Sequence, residues 1–219
     1  MLHGSPSPGV AGSELTRLLA RLADTASSGS RPVFAERLGH WLGWTGAISL
    51  YAALNDGPAP PAPGRSRGPG AEEADFQRVW AELAAAIADG PREPASSPTD
   101  FAPYRRHCLA LQQAMQEAIA ALRQRLREAL ARRSAQGARL AAIDAVMDQA
   151  LAAQERSLLG LVPVRLQAHF ERQPLPGTGD DRAHAAFRAD FARVMQAELA
   201  HRLLPSRGLL DSLQSLPSP

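Results

Sequence analysis

The residues of this sequence best suited to metal binding are its six histidines. Glu198 and His201 have the Glu-x-x-His spacing that contributes half of a di-iron site in a helical bundle. A di-iron site needs a second such pair, which the sequence lacks, so a Glu and a His on the surface flank of a helix are favoured. No two histidines have the His-x-x-x-His spacing of a zinc helix. We therefore predict no metal site.

The single cysteine, Cys108, is the strongest candidate nucleophile. Its neighbour His107 is poorly placed to activate it, because adjacent residues of a helix do not face each other. Cys108 also lies in phase with Tyr104 and Leu111, which predicts a small buried residue. The sequence contains no GxSxG, GxxxxGK[ST] or GxGxxG motif. We therefore predict no catalytic residue and no cofactor, and we expect that the chain is not an enzyme.

One stretch concentrates positive charge in a chain whose net charge is only +2. Residues 121–139, the arginine tip, contain six Arg and one Glu. Such a cluster can bind phosphate, acidic lipid headgroups or an acidic partner. A solvated helix face is favoured instead, because the tip has no interleaved aromatic residues, and binding of nucleic acid is not expected. The candidate anion- or partner-binding residues are Arg125, Arg132, Arg133 and Arg139.

The tryptophans are the other candidates for recognition of bases. A stacking platform needs exposed aromatic rings beside cations. Trp41 and Trp80 instead share the apolar phase of their helices, so we predict that both pack in the core. Trp44 precedes Thr45 at a helix break and stays open between the two interpretations.

The composition indicates helices as the elements that position these residues. Hydrophobic residues make up 45% of the chain but aromatic residues only 5%, so the core must consist mainly of Leu and Ala. Breaks rich in Pro and Gly divide one structural domain into helical parts. The predicted parts are a tail at 1–12, N-terminal helices at 13–54, a linker at 55–70, an amphipathic helix at 71–88, a linker at 89–99, a long hairpin at 100–172, a linker at 173–180 and C-terminal helices at 181–216.

The hairpin is the central prediction of the fold. Apolar residues recur every three or four positions from Phe101 to Leu130 and again from Leu140 to Phe170. An antiparallel register in which paired residue numbers have a constant sum places Phe101 opposite Phe170. The same register places Arg127 opposite Asp144, and Arg123 opposite Asp148. We therefore predict an elongated all-α protein built on a long antiparallel, coiled-coil-like hairpin.

Three details refine this prediction. Gly160 and Pro163 predict a kink in the return helix, because Pro lacks a backbone donor and clashes with the preceding turn. Pro205 predicts the end of the helix that carries Phe187 and Phe191, followed by a short apolar turn. The N-terminus lacks the basic flank and apolar run of a signal peptide, and no window is apolar enough for a membrane span. The cytoplasm is the expected location.

Two blocks, FAERLGHWLGWTGAISLYAALN (34–55) and DFAPYRRHCLALQQAMQ (100–116), resemble those of a bacterial family known only as a domain of unknown function. The resemblance continues through FRADFARVMQAELAHRLLP (187–205). Genes of this family often neighbour genes for envelope proteins with peptidoglycan-binding or motor-like character. The resemblance thus implies a cytoplasmic accessory to an envelope assembly.

Three functions therefore remain open, of which an enzyme of unrecognised type is the least favoured. The leading one is a helical interaction or scaffold protein that contacts an unidentified protein partner, or a second copy of the chain. The alternative is an anionic-surface or nucleic-acid binder that uses the arginine tip.

Overall fold

The computed structural model describes residues 14–23, 46–55, 70–91, 100–172 and 181–216. These residues form helices and no strand, which confirms the all-α prediction. Residues 46–55 are helical, and the other helices are α1 (Glu14–Ala23), α2 (Ala71–Asp89), α3 (Ala102–Arg133), α4 (Ala135–Leu159), α5 (Leu161–Glu171) and α6 (Asp181–Ser215). Trp41, Trp44 and most of the predicted linkers lie outside the described residues.

A single residue, Ser134, connects α3 to α4. Its extended backbone ends α3, and its side-chain oxygen accepts a hydrogen bond from the Gly137 amide at 3.0 Å, which caps α4. A Cβ atom built on Gly137 would lie 2.1 Å from the carbonyl oxygen of Leu130. Only glycine permits this close approach. The sequence predicts a turn over Ser134–Gly137, but Gly137 already lies inside α4, so the connection is tighter than that.

The contacts between α3 and the return helices follow the predicted antiparallel order. Arg127 pairs with Asp144 at 2.7 Å and Arg123 with Asp148 at 2.7 Å, near the connection. At the other end, the ring centroids of Phe101 and Phe170 are 5.6 Å apart. The predicted face of α3 is buried along its whole length, from Tyr104 through Cys108, Leu111, Met115, Ile119, Leu122 and Leu126 to Leu130.

The return helix is interrupted at Gly160, as predicted, but by one residue whose φ and ψ remain helical. Pro163 has no amide hydrogen to donate to the carbonyl of Leu159, four residues earlier. The side chain of Gln112 donates to that carbonyl at 3.0 Å instead. The apolar spacing between Leu140 and Phe170 predicts that Leu158 faces the core. This is wrong, because Leu158 is 52% exposed and Leu159 is buried. Leu159 shares the phase of α5, whose buried face includes Val162.

The prediction that Pro205 ends a helix is also wrong. α6 continues through Pro205 to Ser215. A proline inside a helix lowers the stability of that helix by about 3 kcal/mol. The burial of apolar residues before and after Pro205 offsets this loss. The exposed Leu204 and Pro205 lie on the solvent face, and the buried residues on the other face are Leu199, Leu203, Leu209 and Leu210.

The core lies where α2, α4 and α6 pack around α3, with α1 on α5 and α6. The prediction that Trp80 packs in this core is wrong, because Trp80 is 47% exposed. The buried face of α2 is centred on Val79, Leu83 and Ile87, and Trp80 lies at its edge. In the helical residues 46–55, Ala53 is buried. The three-residue spacing of Ile48, Tyr51 and Leu54 predicts an apolar face there, but this is wrong, because all three side chains are exposed.

Candidate functional site

The arginine tip is engaged in contacts within the fold. Arg125 on α3 pairs with Asp75 on α2 at 3.1 Å, and Arg133 donates to the carbonyl of Leu216 at 3.2 Å. Arg132 lies 4.0 Å from Glu128 on its own helix, and Arg139 is exposed on α4. The four candidate residues therefore occur along two helices and in different surroundings, and they do not converge on one anion-sized site.

Beside them, four charged residues form the cross-helix network of Arg123, Arg127, Asp144 and Asp148. Each arginine contacts both aspartates, at distances from 2.6 to 2.8 Å. Three of the side chains are at most 15% exposed, and Asp148 is 39% exposed. Burial lowers the pKa of Arg127, but hydrogen bonds to Asp148 and Asp144 outweigh that effect and raise its pKa overall. The network fixes the register of α3 and α4, and its charges are paired.

Cys108 is fully buried, and its sulfur lies 3.6 Å from that of Met195 on α6. Burial raises the pKa of the Cys108 thiol to about 12, and the nearby Glu198 carboxylate acts in the same direction. A thiol in this state is neither a nucleophile nor a metal ligand at neutral pH. The prediction that Cys108 is a small buried residue is confirmed.

The prediction that Glu198 lies on the surface flank of a helix is wrong, because its side chain is fully buried in the core. Arg202 donates to its Oε1 atom through Nε at 2.9 Å and Nη2 at 2.7 Å. Gln112 donates to both carboxylate oxygens, at 3.0 and 3.1 Å. Because Gln112 also contacts the carbonyl of Leu159, this polar cluster links α3, α4 and α6. Side chains of the same chain donate to the Glu198 carboxylate, so the cluster stabilises the packing of these three helices.

His201, the partner of Glu198 in the predicted Glu-x-x-His pair, does not join a metal site. Its Nδ1 atom is buried and has no hydrogen-bond partner in the described part of the chain. Nowhere in that part do three or more His, Cys, Asp or Glu side chains gather as metal ligands. Among the described helices, none combines the length and the hydropathy that a bilayer span requires.

The aromatic residues gather at the opposite end of the hairpin from the arginine tip. Four of the six phenylalanines and one of the two tyrosines are in mutual contact there. The ring centroid of Phe187 lies 4.9 Å from those of both Tyr104 and Phe170. This cluster joins the start of α3, the end of α5 and the first turns of α6, and its members are Phe101, Tyr104, Phe170, Phe187 and Phe191.

A cleft of about 500 Å³ opens beside this cluster, between the end of α2 and the first half of α6. We call it the aromatic cleft. The buried rings of Tyr104, Phe170 and Phe191 form its floor. Burial raises the pKa of Tyr104, and the guanidinium of Arg188 opposes that shift. The polar residues of its wall carry both signs of charge: Asp89 and Asp100, and His184 and Arg188.

A second cavity, of about 350 Å³, lies between α1, the end of α5 and α6. We call it the arginine pocket. His169 on α5 and Asp190 on α6 meet in it, with His169 Nε2 at 2.9 Å from Asp190 Oδ2. Three arginines line the same cavity, together with Leu18 and Val194; they are Arg21, Arg172 and Arg193.

Sequence reasoning missed both cavities, because their walls come from elements distant along the chain. Tyr104 and Phe191 were recognised as apolar positions, but no sequence signal distinguishes a cleft floor from a closed core. The burial of Glu198 did have a signal. It follows Phe191 by seven residues and Met195 by three, so it lies in the centre of the apolar face of α6.

A family model described as "Protein of unknown function (DUF3348)" matches residues 1–215. The comparisons with curated proteins and with solved structures each found no match. The predicted resemblance to a family of unknown function is confirmed. The chain belongs to the DUF3348 family of proteins of unknown function.

Proposed function

We propose that this chain is a helical interaction module that binds a segment of a partner protein in the aromatic cleft, and that it is not an enzyme. The observation that carries this proposal is the cleft itself, with its aromatic floor and charged wall. On the strength of the family resemblance, we further propose that it acts in the cytoplasm as an accessory to an envelope-associated assembly.

The chemistry of the cleft supports a peptide segment as the occupant. Aromatic rings supply large apolar contact areas, and tyrosine in particular is enriched at protein interfaces. The rings of Tyr104, Phe170 and Phe191 are held by the surrounding cluster, so binding would cost little ordering of their side chains. Because the wall carries both acidic and basic residues, it suits a segment that combines an apolar side chain with polar or charged neighbours.

The alternative function, anion binding by the arginine tip, has less support. Arg125 is paired with Asp75, and Arg133 donates to the backbone carbonyl of Leu216, which follows the end of α6. Phosphate contacts would have to replace or share these interactions. Nucleic-acid affinity depends on several cations that follow the backbone at once, whereas these four arginines have different surroundings.

The proposal is tested with a charge reversal on the wall of the cleft. Arg188 is exposed, so Arg188→Glu changes the cleft while costing the fold little. Arg139→Glu, at another exposed arginine near the far end of the hairpin, is the matched control. Tagged wild type and both variants are expressed at native level, and the proteins recovered with each are quantified after nuclease treatment and a moderate-salt wash.

We expect a partner that is recovered with wild type and with Arg139→Glu but is depleted at least fivefold with Arg188→Glu. Thermal unfolding of the three proteins shows whether their stabilities are equal. Equal recovery with Arg188→Glu would remove the cleft as the binding site. Loss of recovery with Arg139→Glu alone would instead support the arginine tip.

A further inference from the structure

We propose that an exposed apolar patch on α3, α4 and α5 is a docking surface for a second copy of this chain, related to the first by a two-fold axis. We call it the leucine patch, and its members are Leu109, Leu158, Leu161 and Val164. None of these residues lines the aromatic cleft, so the leucine patch is separate from the site of the proposed function.

The exposure of four neighbouring apolar side chains distinguishes this surface. Nine large hydrophobic side chains are exposed in the described part of the chain, and the four of the leucine patch are between 48% and 60% exposed. Three of them follow one another at intervals of three residues across Gly160, which keeps helical φ and ψ, so they are neighbours on one side of the α4–α5 junction. The fourth, Leu109, lies on α3 level with residue 162, in the register set by the hydrogen bond from Gln112 to the Leu159 carbonyl. A contiguous exposed group of this kind is typical of an interaction surface.

Charged residues flank the leucine patch in a definite order along α3. Arg105, Leu109 and Glu117 lie on one ridge of this helix at multiples of four residues. The ridge is about 18 Å long at 1.5 Å per residue. It therefore has an arginine at one end, the exposed leucine next to it and a glutamate at the other end.

The return helices repeat this order of charges. Glu155 precedes the leucines of α4 and α5, and Arg165 follows Leu161 by four residues. Because α4 and α5 run antiparallel to α3, Arg165 lies close to the level of Arg105 in the observed register. Glu155 lies in the same way close to the level of Glu117. The surface consequently has two arginines at one end, leucines in the middle and two glutamates at the other end.

Ion pairs within the described part of the chain do not neutralise these four charges. Among the described residues, none forms a hydrogen bond or an ion pair with the side chains of Arg105, Arg165 or Glu155. Glu117 is exposed and accepts a hydrogen bond from a neutral side chain, that of Gln113. Both arginines are exposed as well, and Glu155 is partly exposed.

This order of charges favours a second copy of the chain as the occupant. A two-fold axis that lies in the interface and runs across the helices places the basic end of one copy over the acidic end of the other. Arg165 then meets Glu155 of the second copy, and Arg105 meets Glu117 of the second copy, with the leucines between them. A two-fold dimer requires a self-complementary surface of this kind, whereas a partner or membrane of a single charge would match only one end.

The size of the surface indicates a weak dimer. A length of about 18 Å and a width of two helices about 10 Å apart give about 360 Å² per copy, which is less than the roughly 800 Å² per partner of a standard interface. We therefore expect a dimer that dissociates on dilution.

Sedimentation equilibrium of the full chain, from micromolar to millimolar concentration, tests this dimer with charge reversals. In the dimer, Arg165→Glu sets two carboxylates against each other, and Glu155→Arg sets two guanidinium groups against each other. Each variant alone should therefore dimerise at least about tenfold more weakly than wild type. An equal mixture of the two variants should recover the wild-type affinity within about threefold, because every such contact then joins opposite charges.

Two matched controls separate the leucine patch from the rest of the surface. Arg139→Glu, at an exposed arginine of α4 outside the patch, is the control for charge reversal. Leu161→Asp should abolish dimerisation, and Leu204→Asp, at the 61% exposed leucine of α6, is its control. Both controls should dimerise as wild type does. Circular dichroism and thermal unfolding show whether each variant is folded.

Three results would overturn the proposal. One is a wild-type chain that stays monomeric at millimolar concentration; binding of that monomer to acidic vesicles would then indicate a membrane surface. Another is a mixture of the two charge variants that associates no better than either variant alone. The third is a benzoylphenylalanine at position 161 that crosslinks to another segment of the same chain and not between copies, which would make the patch a site of intramolecular packing.

Discussion

Replacement of Glu198 by glutamine isolates the contribution of the buried polar cluster, because it removes the charge and keeps the shape. The carboxylate receives two hydrogen bonds from Arg202 and two from Gln112. A glutamine side chain keeps one acceptor oxygen, and its amide group must then face a donor. With its oxygen at the Oε1 position, the glutamine keeps both donations from Arg202, but its amide group then faces the Gln112 amide that donated to Oε2. The Arg202 guanidinium also loses its opposite charge.

The expected loss of stability follows from burial. Glu198 is fully buried and the Arg202 side chain is only 13% exposed, so solvent screens this pair little. Hydrogen bonds to charged groups contribute about 1.5–3 kcal/mol, and removal of one partner of a buried ion pair costs about 3–5 kcal/mol. Because glutamine keeps part of the bonding, we expect Glu198→Gln to lower the free energy of unfolding by about 3 kcal/mol.

The assay is urea unfolding followed by circular dichroism, for the wild type, Glu198→Gln and a double-mutant cycle. With an m value of about 3 kcal/mol/M, a loss of about 3 kcal/mol lowers the midpoint by about 1 M urea. The cycle uses Glu198→Met and Arg202→Leu. We expect the double variant to be more stable than either single variant, since replacing both charges with apolar groups leaves no buried charge unpaired.

A loss under about 0.5 kcal/mol in Glu198→Gln would refute the buried cluster as described. Additive effects in the cycle would refute it equally, because independent residues do not couple. Gln112 is the remaining member of the cluster, and we expect it to keep its hydrogen bond to the Leu159 carbonyl in the variants.

Three further predictions follow from burial and charge. Burial raises the pKa of Cys108 to about 12. At pH 8 the native thiol should therefore react with iodoacetamide about 1000-fold more slowly than an ordinary thiol. A labelling rate within tenfold of that of the unfolded chain would contradict the burial of Cys108. Trp80 is 47% exposed, so Trp80→Ala should lower the free energy of unfolding in urea by only about 1–2 kcal/mol. The same change at a buried tryptophan lowers it by about 3–5 kcal/mol. A loss above about 3 kcal/mol would contradict the position of Trp80 at the edge of the core. The four candidate arginines of the tip are Arg125, Arg132, Arg133 and Arg139. Changing them to Gln should weaken retention on heparin no more than changing four exposed arginines elsewhere. A larger loss of retention, with a flatter salt dependence of duplex binding, would restore the anion-binding alternative.

The helices and their register were predictable because both depend on local patterns. The spacing of apolar residues from Tyr104 to Leu130 defined the buried face of α3. Two arginines and two aspartates at matching positions fixed the pairing with α4. The end of α6 was not predictable from Pro205, because tertiary packing on both sides of a proline decides whether a helix continues.

The candidate sites were much less predictable than the fold. Trp80 was assigned to the core from its spacing, but a position at the edge of an apolar face can be buried or exposed, and the neighbouring elements decide which. The arginine pocket depends on α1 meeting α5 and α6, which no pattern within any one helix encodes. The aromatic cleft likewise depends on the spatial meeting of residues around 88, 104 and 188.

The most direct test of the central claim is site-specific photo-crosslinking in the native cell. A benzoylphenylalanine replaces Ala88, an exposed residue that lines the aromatic cleft, or Ala135, an exposed residue within the arginine tip. Binding of a partner segment in the cleft predicts a discrete crosslinked species from position 88, mapped to one short segment of one protein, and none from position 135. Crosslinking from position 135 alone, or equally from both positions, would contradict the aromatic cleft as the partner site.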